Sequence, residues 1–130
     1  MCAVRFILIS LFFISCAPMP RYYNHRFRRG YPTHIVGIAS YYADDFDGKP
    51  TASGEIFDMN KLTAAHKELP LGTIARITNP ANGLSVVVKI NDRGPFIPGR
   101  EIDISKGAAE KIGLIDKGTA TVLIDVLELP

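Results

Sequence analysis

From Ile35 to Leu127 the chain is a succession of short β-rich runs separated by Gly, Pro, Asn and Asp, and this punctuation constrains the fold more than any other feature. Regular turn signals between short alternating segments are what an all-β barrel or sandwich requires. The predicted strands are Val36–Tyr42, Thr73–Thr78, Leu84–Asn91, Glu101–Ile104 and Thr119–Leu127, with a further short piece near Ile56 or Thr63. In the last of them Ala120, Val122, Ile124 and Val126 fall on one face and Thr121 and Asp125 on the other, the period of two that a half-buried strand demands. Asn79-Pro80-Ala81-Asn82-Gly83 joins two of the strands, and its Asn-Gly step supplies the positive φ of a hairpin turn. Two short helices are predicted to interrupt the strands: Met59–Ala65 capped by Asp58, and Lys106–Ile112 capped by Ser105 and closed by Gly113.

The N-terminal segment follows a different pattern. Phe6 to Met19 carries no charge and is flanked by Arg5 and Arg21. A spanning helix needs about 20 apolar residues, so this run has the length of a signal-peptide core. Within it Phe13-Ile14-Ser15-Cys16 resembles the lipobox of bacterial lipoproteins, where cleavage precedes a cysteine that becomes lipidated. The resemblance implies a signal peptide over 1–15 and a lipid on Cys16; the competing reading is a plain secretory signal with an incidental thiol. Ala17 after the cysteine favours, by resemblance to lipoprotein sorting rules, the periplasmic face of the outer membrane. Residues 16–34 then form the lipidated end and a tether, in which the stretch 17–34 holds four Arg, two His, three Tyr and three Pro with little apolar periodicity. The domain proper is expected over 35–130.

Charge separates along the same boundary. The net +2 of the chain conceals five Arg before position 35, leaving ten cations against thirteen acids after it, a net −3. Such a domain has no clustered positive surface to attract phosphate backbones, so no nucleic-acid partner is expected. Cys16 would be the only thiol after cleavage, and three scattered His offer no metal-ligand spacing; neither a disulfide nor a metal site is expected.

Three polar, glycine-rich stretches exceed what strand connections need: Gly48 to Phe57, Leu62 to Thr73, and Lys89 to Phe96. They contain Glu55, His66 and Asp92 as candidate proton carriers. Asp92 follows the apolar Val86-Val87-Val88 run and so stands at a strand end; it is either a proton donor or the start of a turn before Gly94-Pro95, or an ion partner of Arg93. Glu55 is either a general acid or base or a surface carboxylate. His66 either orients a carboxylate or sugar hydroxyl or makes a structural hydrogen bond. For Asp92 to act as an acid, Arg93 must point away from it or Glu55 must lie close enough to share its proton.

Taken in order, Ala39-Ser40-Tyr41-Tyr42, Lys49-Pro50-Thr51-Ala52-Ser53-Gly54-Glu55, Leu62-Thr63-Ala64-Ala65-His66, Leu69-Pro70-Leu71-Gly72-Thr73, Ile90-Asn91-Asp92-Arg93-Gly94-Pro95-Phe96 and Gly99-Arg100-Glu101-Ile102-Asp103-Ile104-Ser105 resemble the rare lipoprotein A family. These are septal-ring-type lytic transglycosylases built on a six-stranded double-psi β-barrel. The resemblance spans roughly residues 36 to 127. It implies an endolytic lyase that cleaves the bond between N-acetylmuramic acid and N-acetylglucosamine in peptidoglycan, in strands without stem peptides, leaving 1,6-anhydro ends and using no cofactor. Carried over by position, the resemblance makes Asp92 the catalytic acid with Glu55 and His66 as the other polar members of the groove; by their side-chain chemistry, Tyr41, Thr51, Ser53 and Asn91 are candidates to hold sugar hydroxyls. The alternative is a non-catalytic, expansin-like lipoprotein that binds wall glycan. The chain ends at Pro130, three residues past the last predicted strand, so the C-terminal wall-binding repeat domain of many family members is not expected.

Overall fold

A computed structural model describes residues 30–42 and 44–130. The signal peptide, Cys16 and the tether as far as residue 29 lie outside the described residues.

Six strands close into a barrel: β1 (His34–Tyr42), β2 (Thr63–His66), β3 (Ile74–Asn79), β4 (Leu84–Asp92), β5 (Arg100–Ser105) and β6 (Thr119–Glu128), in the order β1-β5-β2-β4-β3-β6. Two neighbouring pairs, β1/β5 and β2/β4, run parallel; the other four contacts are antiparallel. Closure leaves no strand with an unpaired edge, which is how so small a sheet avoids pairing with other chains. The alternation predicted for the last strand is realised, with Val122, Ile124 and Val126 buried and Thr121 and Leu123 facing out. With Ala39, Ala75, Ile77, Val88, Ile90, Ile102 and Ile104 they fill the interior, and Ala108, Ala109, Ile112 and Leu114 pack onto it from outside the strands.

The Asn79–Gly83 turn makes the β3–β4 hairpin, Gly83 adopting φ +73° while its N–H donates to the Asn79 carbonyl at 2.8 Å. Of the two predicted helices one is present. The helix α1 (Lys106–Lys111) is capped by Ser105, whose hydroxyl accepts from the Ala108 N–H. Met59–Ala65 is not helical: Asp58 accepts instead from the Asn60 N–H in a tight turn, and the chain enters β2 at Thr63. All four β2 residues are buried, and the strand completes the ladder between β4 and β5. Alanine's local preference for helix is a few tenths of a kcal/mol, roughly, and yields to the backbone bonds and burial available on both flanks of that slot. A single 3-10 turn over Asp44–Phe46, which the sequence pattern did not suggest, follows β1.

Candidate active site

Each parallel pair contains a one-residue register shift, and these shifts place the polar groups. Between β2 and β4, Ala64 pairs with Ile90 but Ala65 pairs with Asp92, so Asn91 is the extra residue. Between β1 and β5, Ile38 pairs with Arg100 but Ala39 pairs with Ile102, so Glu101 is extra. A bulge breaks the alternation of a strand and re-aims the side chain that follows it. Ile90 and Asn91 are accordingly both buried, and Asp92 emerges at the barrel end.

Ala65 also pairs with Asp103 on its other side, and Asp103 pairs with Ser40. Four neighbouring strands thus carry the row Ser40–Asp103–Ala65–Asp92. The two aspartates are two strand spacings apart, roughly 10 Å between backbones. The methyl of Ala65 lies between them as a floor. Above this row opens a cleft of about 600 Å³, lined by Tyr41, Tyr42, Ala65, Asp92 and Asp103, with Asp45 and Phe46 on one loop and Gly94 to Ile97 on another.

The two carboxylates are held differently. Asp92 Oδ1 accepts from the backbone N–H of Ala52 (3.0 Å) and of Arg93 (2.9 Å), while Oδ2 has no hydrogen-bond partner among the described residues. Asp103 has both oxygens engaged, Oδ1 by the Ser40 hydroxyl at 2.5 Å and Oδ2 by the Arg100 guanidinium at 2.8 Å. Arg93 turns away from Asp92, its Nη1 donating to the carbonyls of His66 (3.2 Å) and Leu69 (2.7 Å). Tyr42 belongs to the cleft lining, with its hydroxyl buried and without a hydrogen-bond partner among the described residues. Burial, reinforced by the negative charge of Asp92 and Asp103, pushes that phenol far above its ordinary range.

The remaining residues singled out in the sequence occupy three places. Tyr41 lines the cleft. Thr51, Ser53 and Glu55 belong to a loop docked on the end of β4, where Ser53 N–H donates to the Asn91 carbonyl (3.1 Å) and the Thr51 hydroxyl donates to the Glu55 carbonyl (2.8 Å). This loop delivers the Ala52 N–H to Asp92. Glu55 itself is exposed and pairs with Lys89 at 2.7 Å, outside the cleft lining. His66 and Asn91 are buried, each 2% exposed. His66 Nδ1 accepts from the N–H groups of Glu68 and Leu69 (3.1 Å each), which leaves Nε2 to carry the ring hydrogen and donate it to Glu101 at 2.9 Å. The structure therefore gathers Asp92 and Tyr41 in the cleft, sets Thr51, Ser53 and Glu55 on its shoulder, and places His66 and Asn91 in the wall. Asp103, Tyr42 and Arg100 were not singled out in the sequence. The signal for Asp103 was a polar position between two apolar ones, Ile102 and Ile104, on a strand too short to declare which face it served.

The Lys89 ammonium holds the Glu55 carboxyl below its usual range, helped by the Ser53 hydroxyl. Replacing Lys89 by Met is expected to move the Glu55 titration upward in a carbon-detected NMR pH series. Because the folded-state value is the depressed one, the pair's small contribution is present above the unfolded carboxyl value and fades as pH falls through the folded one. An unmoved Glu55 titration would mean that the pair does not persist in solution.

A double-psi barrel family model described as lytic transglycolase matches residues 34–124, the whole barrel from the first residue of β1 into the middle of β6. The chain belongs to the lytic transglycolase family. A relative from Treponema pallidum (strain Nichols), "Probable endolytic peptidoglycan transglycosylase RlpA", is 58% identical over 88 residues, which is 68% of this chain and 28% of that protein. The chain thus spans well under half the length of the curated relatives it matches. Among solved structures, a Streptomyces papain inhibitor superimposes with TM-score 0.60 at 21% identity over 73% of this chain and 94% of that one. The apo expansin of Clavibacter michiganensis gives TM-score 0.60 at 17% identity over 75% and 52%. At these identities the two structures establish the barrel fold that this member of the lytic transglycolase family shares with them, and nothing of its chemistry.

Proposed function

We propose that this barrel is an endolytic peptidoglycan transglycosylase that cleaves the N-acetylmuramic acid–N-acetylglucosamine bond without water, and that Asp92 is its acid. The observation that carries the reading is a carboxylate at a strand end with one oxygen tied to two backbone N–H groups and the other free, in a sugar-sized cleft of a chain from the lytic transglycolase family. Asp92 protonates the leaving oxygen as the C1–O bond breaks. The C6 hydroxyl of the same muramoyl residue attacks C1, closing a 1,6-anhydro ring, and its proton restores the acid. No proton is gained or lost overall, and no cofactor is needed. Placing an internal hydroxyl against C1 and supplying one proton each accelerate the reaction by orders of magnitude, so a single acid in a shaped cleft suffices. Asp103, across Ala65, lies where its negative charge favours the positive character that develops at C1.

The substrate in this reading is glycan without stem peptides, and the enzyme works from a membrane. Phe13-Ile14-Ser15-Cys16 supports lipidation at Cys16, and the apolar run ahead of it supports export. The protein then acts on the wall from the periplasmic face of the outer membrane, with Thr51, Ser53 and Glu55 bordering the bound strand.

The test is product analysis. The full chain, purified in mild detergent, is incubated with glycan strands stripped of stem peptides, and the chain ends are identified by mass spectrometry. Anhydro ends are expected. Reducing ends would make it a hydrolase, and intact polymer that nonetheless retains the protein would make it a wall-binding module.

A further inference from the structure

We infer that Phe96, which lines the same cleft as Phe46, is a stacking platform that holds one pyranose ring of a β-linked N-acetylhexosamine chain above the Ser40–Asp103–Ala65–Asp92 row. The inference rests on the glycan reading above and adds the group that positions the sugar.

Phe96 is 80% exposed, the highest exposure among the described large hydrophobic residues, yet Gly94 and Pro95 immediately before it are buried. With Ile97 and Phe46, also exposed and lining the same cleft, Phe96 forms a group of uncovered apolar side chains of the kind that marks a binding groove, as a single scattered one would not. The ring lies over Gly94, where a β-carbon would stand 3.7 Å from Cε2, so its own backbone supports it from one side. On another loop of the cleft lining, Phe46 is half exposed and is held by an edge contact with Tyr42 (centroids 5.6 Å apart, 75° between planes). The Lys49 ammonium stands 5.6 Å from the Phe46 centroid. Both rings line the same cleft as the two aspartates.

The chemistry beneath the rings selects the occupant. A lipid or an apolar protein segment seated on Phe96 and Phe46 would cover Asp92, whose Oδ2 has no hydrogen-bond partner among the described residues, and offer it none, which is costly. A pyranose with equatorial substituents matches both levels. Its C–H face covers an aromatic ring, and its equatorial hydroxyl and acetamido groups reach the polar floor. Phe96 and the proposed acid line one cleft, so a sugar ring stacked on Phe96 would be held within the same cleft as Asp92.

The chain contains no Trp, so Phe96→Trp makes a single-site reporter. In the full chain carrying Phe96→Trp with Asp92→Asn to prevent turnover, stem-peptide-free glycan strands are expected to shift Trp emission to the blue and to saturate. In the Asp92 background, Phe96→Ala is expected to raise KM roughly 3- to 10-fold, the range of an aromatic contact, with a smaller effect on kcat, and Phe96→Tyr to restore KM. Silent emission, or a parental KM for Phe96→Ala, overturns the inference. So does an emission shift produced by phosphatidylglycerol vesicles and not by glycan. The two readings fail separately: a saturating shift in a protein that releases no anhydro ends keeps the platform and removes the lyase, whereas anhydro ends with silent emission do the reverse.

Discussion

Asp92→Asn is expected to lower the rate of anhydro-end formation by about 10²- to 10⁴-fold, the range over which a positioned proton donor acts, while glycan binding and the thermal midpoint stay near parental. The fold should tolerate the change because the amide oxygen can take the place of Oδ1 and accept from the Ala52 and Arg93 N–H groups. The amide nitrogen then stands where Oδ2 was, in the cleft, and has no proton to give at neutral pH. Rate measurements on stem-peptide-free strands, paired with a pull-down on the same polymer, check both halves. A variant that still releases anhydro ends at a near-parental rate would remove Asp92 from the chemistry and turn attention to Asp103.

The second large effect concerns stability. Ile102 is fully buried and pairs with Ala39 on one side and with His66 on the other, in the strand that ties β1 to β2. Ile102→Ala leaves a cavity in the middle of the closed ring, and such truncations cost about 2–5 kcal/mol. Against a total of about 5–15 kcal/mol for a domain, this is a large share. For a barrel of this size each kcal/mol moves the midpoint by roughly 4–8 °C, so a fall of about 8–40 °C in a thermal melt followed by circular dichroism is expected. Ile102 also lies between the Glu101 bulge and Asp103, so the variant should lose glycan cleavage at a lower temperature than the parent. A shift of only a degree or two would mean that the neighbouring side chains collapse into the space.

The strands were legible because their information is local. The alternation of Ala120, Val122, Ile124 and Val126, and the Asn-Gly turn after Asn79, need no distant partner to be recognised. β2 was legible only as a short piece near Ile56 or Thr63, in competition with the predicted Met59–Ala65 helix, and the open ladder between β4 and β5 decides its place and extent. Among the site residues, the same distinction holds. Asp92 stood out because it ends an apolar run. His66 and Asn91 stood out for their chemistry, but their placement depends on the β2–β4 register shift and on the amides of Glu68 and Leu69. Asp103 acquires its place only through Ala65, which pairs with it and with Asp92 at once.

By itself the amino-acid sequence determined the all-β class, the hairpin between β3 and β4, the helix after Ser105, the family through its ordered motifs, and Asp92 as a residue to test. These depend on interactions between neighbours a few positions apart, which a linear string records. The tertiary structure decided that the strands close in the order β1-β5-β2-β4-β3-β6, that Arg93 faces away from Asp92, and that Asp103 rather than Glu55 shares the cleft with it. The physical reason is that closure and one-residue bulges between parallel strands fix which side chains meet, and a single-residue slip in register, invisible in composition or periodicity, reverses the face on which each of them lies.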